Sequence, residues 1–191
     1  MKIFYMNQGG GGNWGGIPYR DYDLLLIAEC STTKGPEFTS KPIPGNNTPR
    51  LAIFERDGRS RIITAITDID YIAKSIRPIL TFTLTGMPPI RIIFMHLKSA
   101  DPAAANESLD GALNWLGEKI RTETILWVGD FNRANRLLPE TWMQFRGGGI
   151  SRWYLDRAIL TGPEIPGVYM WKESKSGDNQ HIGIVVEFQG R

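Results

Sequence analysis

The sequence predicts an α/β domain built around two β-sheets packed face to face, and three observations lead there. Strand-forming apolar runs recur along the 191 residues, at 3–6, 24–28, 51–54, 62–66, 79–84, 90–95, 125–128, 155–160 and 182–188. Several of these runs are unbroken apolar blocks rather than alternations, the mark of strands covered on both faces. Helical spacing is clear in one segment, so sheets dominate and helices are few.

Taken in order, the first run, Ile3 to Met6, ends at Asn7 and a glycine-rich stretch over residues 9–16. That stretch has no lysine and serine or threonine of a phosphate-binding P-loop, and reads as a flexible loop. The second run, Leu24 to Ala28, ends at Glu29. Residues 32–49 are rich in Pro, Gly, Ser, Thr and Asn and read as a surface loop inside one domain. The run ending at Met95 meets His96. Beyond it Asp101 is placed to cap a helix, Pro102 suits its first turn, and Leu109, Leu113, Leu116 and Ile120 share one face. That helix leads into Ile125 to Val128, which ends in Gly129, Asp130, Phe131, Asn132 and Arg133. A strand, helix, strand connection of this length predicts a right-handed crossover between parallel neighbours. The last two runs carry Asp156 and, just ahead of the final strand, His181.

Composition bounds the function classes. With 41% hydrophobic and 22% charged residues, the chain supports one well-buried core, and a single domain over 1–191 is expected. The net charge of +2 permits a polyanionic partner without requiring one. Arg77, Arg133, Arg136, Arg146, Arg152 and Arg157 lie near the polar junctions, where spaced arginines serve equally as solvated surface or as a phosphate-facing patch. The lone Cys30 forms no internal disulfide and argues for no structural zinc. No apolar stretch approaches the roughly 20 residues of a membrane span, and the apolar start is too short for a signal-peptide core. A soluble chain is expected, cytoplasmic or exported by a non-classical route.

Polar residues at strand ends form a chemically coherent set: Asn7, Glu29, His96, Asp130, Asn132, Asp156 and His181. Each alone has an ordinary reading as a surface carboxylate or a turn residue. Together they supply what phosphodiester hydrolysis needs, namely oxygen ligands for a hard cation, a group to activate water, donors for the phosphate and help for the leaving oxygen. Because imidazole titrates near neutrality, either histidine suits either role.

The stretches Met6-Asn7-Gln8-Gly9, Ala28-Glu29, Arg77-Pro78, His96-Leu97-Lys98-Ser99-Ala100, Gly129-Asp130-Phe131-Asn132-Arg133, Leu155-Asp156-Arg157 and Gln180-His181 resemble, in order, the motifs of the endonuclease, exonuclease and phosphatase superfamily. Pancreatic-type deoxyribonucleases and the nuclease subunit of cytolethal distending toxin are the most similar branches. The resemblance implies a four-layer sandwich of two mixed β-sheets flanked by helices, with the site at one edge. It implies that Glu29 binds Mg²⁺ with Asn7 close by, Mn²⁺ or Ca²⁺ being alternatives. Asp130 and Asn132 would position the attacking water and the phosphate, His96 and His181 would flank that phosphate, and Asp156 would orient one histidine. Arg77 and Arg133 would contact substrate.

Two departures stand out. Where the family ends in Ser-Asp-His, this chain has Asn179-Gln180-His181, so an oxygen ligand is kept and a negative charge lost; Asp178 would substitute only if its loop bends back. The chain is also short for the family, which would trim the loops that grip DNA or a partner. The expected function is Mg²⁺-dependent hydrolysis of the DNA backbone with low sequence specificity, with DNA as partner and a delivery or regulatory protein left unidentified. The alternatives are a phosphatase or phosphodiesterase of phosphoinositides or other small phosphate esters, and a degenerate member that binds without catalysis.

Overall fold

The computed structural model describes residues 1–9, 21–30, 38–40 (backbone only), 51–56, 62–64, 66–68, 77, 79–86, 88–97, 101–146, 155–173, 181 and 183–190. The fold is a sandwich of two six-stranded mixed sheets. The first contains β1 (Lys2–Asn7), β2 (Leu24–Ala28), β3 (Phe38–Ser40), β4 (Leu51–Arg56), β11 (Val168–Glu173) and β12 (Gly183–Phe188), in the order β11-β12-β1-β2-β4-β3. The second contains β5 (Thr67–Asp68), β6 (Ile79–Leu84), β7 (Ile90–His96), β8 (Thr124–Asp130), β9 (Thr141–Arg146) and β10 (Asp156–Thr161), in the order β5-β6-β7-β8-β10-β9.

Strands β1, β2, β7 and β8 are the unbroken apolar runs, and each lies inside its sheet. Their covered faces explain why the sequence does not alternate. Tyr5, Leu26, Phe94, Val128 and Ala158 belong to the core between the sheets. The outer face of the second sheet carries Ile93, Met95, Trp127 and Ile159, which pack with Leu109 and Leu116 of α1 (Pro102–Leu116).

Helix α1 forms as its sequence dictates. The Asp101 carboxylate accepts from the Ala104 N–H at 3.0 Å, and Pro102 occupies the first turn, where no intrahelical N–H is lost. It ends earlier than the apolar spacing implies. Gly117 adopts φ +54° and its N–H bonds the Leu113 carbonyl, so Ile120 falls in a separate turn, α2 (Lys119–Thr122). The connection joins β7 to β8 in parallel, as expected from the strand, helix, strand pattern.

Four further strands escape the sequence reading. β3 lies within the stretch read as surface loop and β5 is two residues long. β9 and β11 are partly exposed strands at sheet edges. Conversely, the described residues of the apolar run 62–66 pair with β6 around a single bridge, Ile63 to Leu84, with the Thr64 N–H donating to Thr83 O and the Thr85 N–H to Ile62 O. No helix among the described residues is long and apolar enough to cross a membrane.

Candidate active site

Register builds the site. In the parallel pair β7/β8, His96 lies opposite Asp130; in the antiparallel pair β8/β10, Asp130 lies opposite Asp156. Three polar side chains from three strands therefore share one rung and one face at the sheet's end. The rung depends on Gly129, whose φ is +148° and whose place would put a Cβ 1.9 Å from the Met95 carbonyl oxygen. Only glycine permits that backbone approach. Beyond the rung, the Leu97 N–H donates to Asp130 O and the Phe131 N–H to Leu155 O, both at 2.8 Å, so the loops leave the strands in fixed directions.

The first sheet supplies the facing half. β1 and β2 run parallel with Asn7 opposite Ala28, and Glu29 follows at φ +53°. Asn132 has φ +47°. Among described non-glycine residues only Glu140 shares this left-handed geometry, so two of three such positions fall in one cluster. Strained backbone of this kind gathers at functional sites. Asn132 is held by its own turn, its N–H donating to Asp130 Oδ1 at 2.7 Å.

Across the two sheets the side chains interlock. Asn7 Nδ2 donates to Asp130 Oδ2 at 3.0 Å, while Asn7 Oδ1 accepts the Gly9 N–H. His181 Nδ1 lies 2.9 Å from Asp156 Oδ2, and the Tyr5 hydroxyl donates to Asp156 Oδ1 at 2.7 Å. Both Asp156 oxygens are thus engaged. With the Asp156 carboxylate as the acceptor, a neutral His181 carries its proton on Nδ1 and leaves Nε2 as an acceptor. His96 sits between Glu29 and Arg77, with Nε2 3.3 Å from Glu29 Oε1 and Nδ1 3.1 Å from Arg77 Nη1. Arg77 Nη1 lies closer still to Nε2, so the guanidinium and the Glu29 carboxylate meet at the same ring nitrogen.

Of the nine residues expected from sequence, Asn7, Glu29, Arg77, His96, Asp130, Asn132, Asp156 and His181 meet in this network. Arg133 is carried exposed on the same turn as Asn132. Asn132 Nδ2 is partly committed, donating to the Leu97 carbonyl at 2.6 Å. Lys98, Ser99, Ala100, Arg152, Asp178, Asn179 and Gln180 lie outside the described residues. Tyr5 is the participant that sequence reading missed. Its one signal was its place two residues before Asn7 on the same strand face, where a buried phenol requires a hydrogen-bond partner.

Burial shapes the electrostatics. Asp130 is pushed up to about 6, first by desolvation and then by the Asp156 charge; His181, the Asn132 N–H and the Asn7 amide pull it back. The Tyr5 hydroxyl is raised well above its ordinary range by burial and by Asp156, so it stays protonated and donates.

Asp130, Asp156 and His181 offer ligand atoms within 4.8 Å of one another. We assign this trio as an oriented acid–histidine pair beside a carboxylate rather than a closed metal seat, because Asp156 already holds Tyr5 and His181. The donors that fit a hard cation are the Glu29 and Asp130 carboxylates; the Asn7 amide, which turns Nδ2 to Asp130 and Oδ1 to Gly9, would add its oxygen on rotating.

No protein-family model and no curated protein sequence matches the chain; solved structures do. A humanised D. rerio TDP2 superposes with a TM-score of 0.70 at 13% identity, over 97% of each chain. The fold is that of the endonuclease/exonuclease/phosphatase structures. The cytolethal distending toxin of Haemophilus ducreyi shares this fold at a TM-score of 0.60 and 16% identity, covering 97% of this chain and 96% of that one. So does the mannosyl-6-phosphatase Bt3783 of Bacteroides thetaiotaomicron, at 0.56 and 14% over 98% of each.

Proposed function

We propose that the chain is a divalent-metal-dependent phosphodiesterase that hydrolyses the DNA backbone. The observation carrying this reading is the oriented chain Tyr5–Asp156–His181, set against the oxygen donors of Asp130, Asn7 and Glu29 within one rung of two packed sheets. His181 Nε2 takes a proton from water, and Asp156, fixed by Tyr5, stabilises the imidazolium that results. The water oxygen attacks phosphorus in line as the opposite P–O bond breaks; the departing oxygen takes a proton from solvent water, and His181 releases the one it took to bulk solvent. Arg77 and His96 supply donors for the phosphate oxygens, and Arg133 a further cation at the rim. Asn132, locked by Asp130 and Leu97, positions the phosphate and the water. Glu29, Asn7 and Asp130 would hold Mg²⁺, which when bound would neutralise phosphate charge.

Nicking of supercoiled plasmid tests this. Activity is expected with Mg²⁺, and none with EDTA or in Asp130→Ala and His181→Ala. Cleavage undiminished in those variants would refute it. A second reading, hydrolysis of small phosphate esters or phosphoinositides, draws on the likeness to a mannosyl-6-phosphatase; turnover of such esters with inert plasmid would favour it.

A further inference from the structure

A second cationic feature lies across β10 from the site. Asp156 and Arg157 are consecutive, so their side chains leave opposite faces of the strand. Asp156 enters the mouth between the sheets, and Arg157 stands on the outer face of the second sheet. In register opposite it on β9 is Arg146. Like charges directly opposed across a sheet destabilise it, and this pair is built at the same end of the sheet as the Asp130 rung.

The pair lines a concavity of about 430 Å³ together with Asn135, Arg136, Thr141 and Gln144. Its walls therefore present guanidinium and amide donors, groups that bind phosphate oxygens, while the Thr141 hydroxyl is spent on the Leu138 carbonyl. The Arg157 guanidinium is steered by the Phe131 ring, 5.4 Å from its centroid, and Phe131 is the residue after Asp130. Burial and the Arg146 charge weaken its hold on its proton, a penalty that a bound anion relieves. Arg136 is paired with Asp110 at 2.8 Å, whereas the hydrogen bond of Arg146 to Gln144 Oε1 is long, 3.4 Å. Arg146 is exposed and poised for an external anion.

We propose that Arg146 and Arg157 form a second phosphate subsite that takes a backbone phosphate of the DNA strand flanking the one being hydrolysed. It rests on the nuclease reading and deepens it. Because Asp156 and Arg157 are adjacent on β10, a strand seated with one phosphate between His181 and Asp130 would reach this concavity by crossing the end of β10, and two guanidiniums recognise a phosphodiester regardless of base. A small monoester filling the reaction centre would leave the subsite empty.

The test is equilibrium binding of a fluorescein-labelled oligothymidylate, in EDTA to prevent cleavage, across a salt series. Arg146→Gln is expected to weaken binding about tenfold and to flatten the salt dependence by close to one phosphate contact, a slope change of about 0.7 for single strands. Arg146→Lys, which keeps charge without the fork, should recover the slope and only part of the affinity. Arg121→Gln, exposed on α2, should match the parent. Parent-like affinity and slope in Arg146→Gln would overturn the subsite, as would inorganic phosphate displacing the oligonucleotide as well as unlabelled oligothymidylate does at equal phosphate concentration. Failure of the nuclease reading is distinct. A parent protein that does not nick plasmid with Mg²⁺ but binds DNA through Arg146 would lose the hydrolase assignment and keep the subsite.

Discussion

Asp130→Asn is expected to make the metal-free protein more stable above neutral pH while abolishing its activity. The folded state raises the Asp130 carboxyl from its ordinary 3.8 to about 6, so it binds that proton more tightly than the unfolded chain does. Its contribution to stability is therefore complete below about pH 4 and is lost as pH rises through 6. At pH 8 the two-unit rise corresponds to a penalty of about 3 kcal/mol, at roughly 1.4 kcal/mol per unit. At pH 5 the same linkage leaves roughly half of that penalty, because most folded molecules are then protonated. An amide carries no such penalty. It still accepts the Asn132 N–H, but its NH₂ group meets the Asn7 amide in place of an accepting oxygen, at a cost of about 1 kcal/mol. The variant should gain about 2 kcal/mol over the parent at pH 8, a margin that largely closes at pH 5. Urea unfolding in EDTA at both pH values measures the two margins. A variant equal to or less stable than the parent at pH 8, or a margin that does not grow with pH, would refute the claim that burial and Asp156 strain this carboxylate.

Three further outcomes follow from the same geometry. Tyr5→Phe removes a hydrogen bond to a buried carboxylate, worth about 1.5–3 kcal/mol, while keeping the ring; a fall in kcat of about 10- to 100-fold is expected. Unchanged turnover would show that the phenol only packs. Gly129→Ala should cost more than about 3 kcal/mol, because a Cβ would meet backbone rather than a movable side chain; a urea midpoint within error of the parent would contradict the close approach of β7 and β8. Mg²⁺ should raise the melting temperature of the EDTA-treated protein, with about 2.7 kcal/mol available at a hundredfold excess over Kd. The shift should vanish in Glu29→Gln; a shift that persists there would place the cation elsewhere.

The parts of this protein legible from sequence are those fixed by burial. β1, β2, β7 and β8 are covered on both faces, so their apolar runs have few alternative readings, and the polar residue ending each run marks the sheet edge that becomes the site. β9 and β11 were not legible because edge strands keep exposed polar positions; Thr-Trp-Met-Gln-Phe-Arg carries no buried face strong enough to fix a period. β3 and β5 exist through their partners, β4 and β6, rather than through local preference. The run at 62–66 shows the converse: its described residues pair with β6 around one bridge, Ile63 to Leu84. Within the site, residue types at strand ends identified the donors and left the pairings open. That Asp156 serves His181, and that Arg77 and Glu29 share His96, depends on register between strands distant in sequence. The Tyr5–Asp156 bond spans 151 positions, beyond any local pattern.

This division of the site between two sheets ties its chemistry to the core beneath it. Asn7, Glu29 and Tyr5 come from the first sheet, His181 enters just before β12 of that sheet, and His96, Asp130 and Asp156 end or begin strands of the second. Neither sheet alone brings the Tyr5–Asp156–His181 chain beside Asn7, Glu29 and Asp130. What aligns the halves is the apolar layer below, where the Tyr5 ring meets Phe94 edge-on with centroids 6.1 Å apart. Tyr5 thus acts at both levels: its ring packs between the sheets, and its hydroxyl fixes the carboxylate that orients His181. Two buried carboxylates opposed on one rung would push such a sandwich apart or take up a proton. The donors arranged around them, from Tyr5, Asn7, His181 and the Asn132 N–H, limit that cost, and packing of the two sheets offsets the remainder. The strain left on Asp130 is consistent with a cluster organised to receive a cation, because a divalent ion would supply the positive charge that the protein donors leave short.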